Sequence, residues 1–66
     1  MSDLITLAQE YEQSATLLEH RLNQLKSEAP GVRGLEALKL QKRMETLTAE
    51  LYHTRKMRAY LLNYYS

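Results

Sequence analysis

The chain has no cysteine, one proline and two glycines in 66 residues. Without cysteine there can be no disulfide framework and no thiolate metal site, and redox state assigns no compartment. The two histidines, His20 and His53, are too few for a structural zinc site without carboxylate help. Long apolar runs are missing too. Nothing approaches the roughly 20 consecutive apolar residues of a membrane span, and the opening "MSDLITLAQEYEQ" is acidic and broken by polar residues, unlike a secretory signal. The expected location is the cytoplasm, with no membrane partner. Charge of one sign is also scarce. Nine bases against eight acids leave a net charge of +1, which gives no strong pull toward nucleic acid or an acidic membrane.

Catalytic groupings are absent as well. No nucleophile, base and orienting group can be assembled from the residue spacings. Glu10 and Glu12 are two residues apart, about 200° around a helix, so they are not a working carboxylate pair. A chain this short encloses no pocket within one subunit. The expectation is a protein that is not an enzyme, with no cofactor and no metal. His20 and His53 read as solvent-exposed.

What the chain does contain is helix periodicity. Leu4, Ala8, Tyr11, Ala15, Leu18, Leu22 and Leu25 follow one another at unbroken steps of four and three, a heptad-type seam. A helix is expected over 3–28, with Ser2 as its N-cap and Asp3 at the positive end of its dipole. A second seam runs through Leu40, Met44, Leu47 and Leu51, meets Thr54 and Arg58, and is read as resuming at Leu62 and Tyr65. It predicts a helix over 35–64. Residues 1–28 hold five acids and two bases, whereas residues 35–66 hold six bases and three acids. The two halves therefore attract when laid side by side, though each exposed pair adds only tenths of a kcal/mol.

Between the seams lies "SEAPGVRGLE", residues 27–36, which holds the proline and both glycines. Proline biases Ala29 away from helical angles. Pro30-Gly31 fits the centre of a type II turn, with Gly31 supplying positive φ, and Gly34 frees the chain before the second helix. A joint of about six residues suits an antiparallel helix pair. Facing residue numbers then sum to about 65, so Leu47 meets Leu18, Leu51 meets Ala15 and Leu62 meets Leu4. Backbone N–H groups beside Arg33 offer a competing reading of the loop as an anion site. The GxxxxGK[ST] and GxGxxG spacings are absent, and the hinge is the better reading.

The end of the second helix carries more apolar surface than a hairpin can cover. Met57, Tyr60, Leu61 and Tyr64 are assigned to a self-association or partner face, the first, second and fourth of them turned more than a right angle from the seam. Arg58 sits on the seam near Ala8, Tyr11 and Glu12, and is expected to run its stem along the seam and pair with Glu12 or cover Tyr11. A sharper role for it is fixing register or subunit number. The segment "YHTRKMRAYLLNYY" interleaves bases with tyrosines. Arg55, Lys56 and Arg58 are the candidate nucleic-acid contacts, with Tyr52 or Tyr60 able to stack on a base.

The stretches "LLEHRLNQLK" at 17–26, "LQKRMETLTAEL" at 40–51 and "YLLNYY" at 60–65 give the chain a resemblance to small uncharacterised helical-hairpin proteins of bacterial phages and mobile elements. The resemblance implies a bacterial or phage accessory protein and transfers no site residue. The reading as a whole is an all-α, antiparallel two-helix hairpin with coiled-coil packing, dimerising into a four-helix bundle. Its expected work is protein–protein interaction, with itself as homodimer or higher assembly, or with a larger protein. The alternative is a nucleic-acid-binding accessory protein.

Overall fold

A computed structural model of the chain describes residues 3–64; Ser2 and Tyr65, expected as N-cap and seam residue, lie outside them. Helix α1 runs Asp3–Glu28 and helix α2 runs Leu35–Tyr64, with a single 3-10 turn, Ala29–Gly31, between them. The ends of α1 suit its dipole, with Asp3 in the first turn and Lys26 in the last. Threonines inside the helices donate back to the preceding turn, Thr16 to the Glu12 carbonyl at 3.1 Å and Thr48 to the Met44 carbonyl at 2.8 Å. These polar residues therefore need no partner from the other helix.

The connection reverses the chain by a different device from the expected type II turn. Glu28 is still right-handed helical (φ −83°, ψ −25°), and Ala29-Pro30-Gly31 tighten into a 3-10 turn closed by the Val32 N–H donating to the Ala29 carbonyl at 3.2 Å. Pro30 occupies an early position of that turn, where its missing N–H costs nothing. Val32 is extended (φ −112°, ψ 139°). Positive φ falls on Gly34 (66°), not on Gly31. Gly34 then caps α2, its carbonyl accepting from the N–H groups of Ala37 at 3.0 Å and Leu38 at 3.3 Å. The left-handed step is needed where the chain re-enters a helix, and that step belongs to the second glycine.

The core is thin. Ala8, Ala15, Leu22 and Leu25 of α1 and Leu51 and Leu61 of α2 are its buried residues. Ala15, Leu22 and Leu51 form one cluster, with Leu18, Met44 and Leu47 packed against it, as the antiparallel register requires. All seven expected α1 seam residues are buried or half-buried. On α2 the seam does not resume at Leu62. Three residues on from Arg58 is Leu61, which is 8% exposed, while Leu62 is 42% exposed. One residue further turns the side chain by about 100°. Leu62 instead borders an open groove with Ile5, Ala8 and Arg58. The hairpin measures 51 × 14 × 14 Å, a rod two helices wide.

Candidate functional site

A two-helix rod has two broad faces, one on each side of the seam. The two grooves along its middle identify them. On the first face Arg21 of α1 meets Lys39, Lys42, Arg43 and Thr46 of α2 over Leu47, in an open groove of about 420 Å³. On the second, Leu22 and Lys26 meet Gln41, Met44, Thr48, Ala49 and Tyr52 in a groove of about 540 Å³. Residues seven apart stay on one line of a heptad-packed helix, so each face can be followed along the rod. From Arg43 the first face continues through Glu50, Met57 and Tyr64, and from Thr46 through His53 and Tyr60. On α1 it runs back from Arg21 through Ser14 to Leu7, which share a shallow groove with Glu10 and Tyr11.

The second face holds the cross-helix ion pairs. Arg55 Nη2 lies 3.0 Å from Glu19 Oε2 and Arg58 Nε lies 2.8 Å from Glu12 Oε1. Arg58 is half-buried, its stem along the seam and its charge at the edge. Its pairing with Glu12 is the one expected; the Arg55–Glu19 pair is not visible in the seam pattern, because both residues flank it. Two of the three candidate nucleic-acid contacts thus face carboxylates of α1. Lys56 is exposed on a different side of α2, so the three cations do not converge.

The expected partner face is reduced by one residue. Leu61 is buried in the seam and unavailable to a partner; a three-residue step from Arg58 dictates this. Met57 is half-buried, and Tyr60 (66%) and Tyr64 (71%) are exposed. They share the first face with Leu7, 38% exposed, and Leu17, 71% exposed. His20 and His53 are exposed and lie on separate helices. Beside the turn, Glu28 and Glu36 line the same groove as Arg33, which makes that loop a poor anion cradle. The cluster of Arg21, Lys39, Lys42 and Arg43 escapes attention in the linear sequence. Its signal is the 39, 42, 43 spacing on one helix side and the facing register that brings Arg21 across.

Among the described residues no group of three or more histidine, cysteine, aspartate or glutamate side chains is placed to hold a metal ion, and no helix is long and apolar enough to cross a membrane. Compared with known proteins, the chain matches no family model, no curated protein and no solved structure.

Proposed function

We propose that this protein is a small non-catalytic interaction module that self-associates by helical packing, two hairpins forming an antiparallel four-helix bundle. The observation that carries this reading is the imbalance between covered and uncovered apolar surface. Among the described residues six buried apolar residues form the core, two of them alanines, while nine large apolar side chains are exposed. A rod only two helices wide gives each helix a single neighbour, and chains of this size generally need a staple. Disulfides are excluded by composition, which leaves a second subunit.

The nucleic-acid alternative loses ground with the pairing of Arg55 and Arg58 to Glu19 and Glu12. A cation already facing a carboxylate releases fewer counterions on meeting a phosphate. The resemblance to phage and mobile-element hairpins adds a bacterial or phage accessory role to the proposal, with cytoplasmic location. The test is sedimentation equilibrium on the chain and on a Met57→Lys, Tyr60→Lys variant. The wild-type chain is expected to sediment as a dimer at micromolar concentration. The variant, whose new charges sit on the uncovered face and off the seam, is expected to dissociate at least about tenfold more readily. A wild-type chain that stays monomeric and fully helical at all concentrations overturns the proposal.

A further inference from the structure

The two faces treat charge differently. On the second face two acids and two bases pair across the helices, at 2.8 and 3.0 Å, while Lys26 and Glu45 form no ion pair among the described residues. On the first, Arg21 and Arg43 near the turn, Glu10 toward the open end and Glu50 at mid-rod form no ion pair among the described residues, and Lys39 has only a long 3.9 Å contact with Glu36. The segregation is also visible in the whole rod. Residues 20–46, the half holding the turn, carry six bases and three acids, whereas the remainder carries three bases and five acids. One end is positive and the other negative, and on the first face Arg21, Arg43 and Glu10 follow that order.

We infer that the first face is the self-association surface and that its occupant is a second copy laid head to tail, each turn against the other copy's open end. This rests on the self-association reading and adds the face and the direction. A two-fold axis lying in the face, across the middle of the rod, sets α1 on α1 and α2 on α2, both antiparallel. Centred on α1, it brings residues summing to 31 to one level, so Arg21 of each copy meets Glu10 of the other. The same operation centred on α2 brings Lys39 to the level of Tyr60, a cation above an aromatic ring. Leu17 and Met57 fall inside the contact. Turn-to-turn stacking would instead oppose the two basic clusters. The face is large enough: 51 × 14 Å is about 700 Å², close to the roughly 800 Å² each partner contributes to a standard interface. The interface is isologous, and one self-complementary face closes a dimer with no surface left to propagate.

Two experiments test this. The chain has no native cysteine, so Ser27→Cys, at an exposed site beside the turn, takes one spin label per chain. Head-to-tail copies put the two labels roughly 35 Å apart by helix rise, while turn-to-turn copies bring them within about 20 Å. The second experiment is charge exchange. Arg21→Glu alone opposes two carboxylates at both symmetric contacts, and Glu10→Arg alone opposes two guanidinium groups. Each is expected to weaken the dimer about tenfold at low salt. Mixed in equal amounts, the variants regain wild-type association, because the heterodimer has one native and one reversed pair, both attractive. A short label distance, or a mixture no better than its components, overturns the head-to-tail face while a measured dimer mass leaves self-association standing. A chain monomeric throughout overturns both.

Discussion

Gly34 and Gly31 are three residues apart and are predicted to respond oppositely to alanine. Gly34 holds φ at 66°, where a Cβ is strained, although no neighbouring atom lies within 4 Å of that position. Gly34→Ala is expected to cost about 1–2 kcal/mol through the backbone alone. Gly31 has ordinary φ and open space, so Gly31→Ala is expected to be neutral or stabilising by up to about 1 kcal/mol, because it narrows the unfolded ensemble. Urea unfolding of the two variants checks the contrast; equal costs would restore the type II turn. The "PGVRG" stretch announced a reversal but not which glycine performs it. Both glycines satisfy local turn chemistry, and the choice is made by where the chain must re-enter α2. In the core, Leu51 packs on Ala15 and Leu22 and is 7% exposed. Leu51→Ala is expected to cost about 2–4 kcal/mol, read from the same unfolding curves. A cost below about 1 kcal/mol would mean the cluster is not the centre of the fold.

Each helix follows from its seam. The 4-3 spacing over α1 was readable in full because every seam residue is apolar. Over α2 it was readable only to Leu51, since Thr54 and Arg58 interrupt the apolar run, and a four-residue step from Arg58 reaches Leu62, one residue past the true position at Leu61. Keeping the step count through the polar residues would have found it. Helix pairing also brings together Arg55 and Glu19, and Arg58 and Glu12, all four at least one-third exposed. Double-mutant cycles on each pair are expected to give about 0.2–1 kcal/mol at low salt, shrinking in molar salt as screening tightens to about 3 Å. A salt-independent coupling would mean that Arg58 sets register from within the core. The joint itself is testable at this scale. Replacing Pro30, Gly31 and Gly34 together by alanine is expected to lengthen α1 into one continuous helix and to change the assembly, because a swapped pair can satisfy both seams between chains. A hairpin of unchanged mass and helicity would show that the seams alone hold the fold.

The whole molecule is a narrow rod whose charges are balanced on one face and sorted by end on the other. The sorting was legible in part: acids were seen to prevail in the first helix and bases in the second. That reading led to attraction between the helices of one chain. The hairpin register redistributes the same charges along the rod, so that the residual imbalance lies between turn and open end, where the proposed pairing of copies would use it. The central claim is that the second copy completes a core too thin to be stable by itself. The most direct test is thermal unfolding followed by helical circular dichroism from about 1 to 500 μM, with light scattering on the same samples. Association coupled to folding predicts a melting temperature that climbs with concentration and a mass twice the 7.7 kDa of the chain. A cooperative transition at one temperature throughout, with the mass of a single chain, would contradict it.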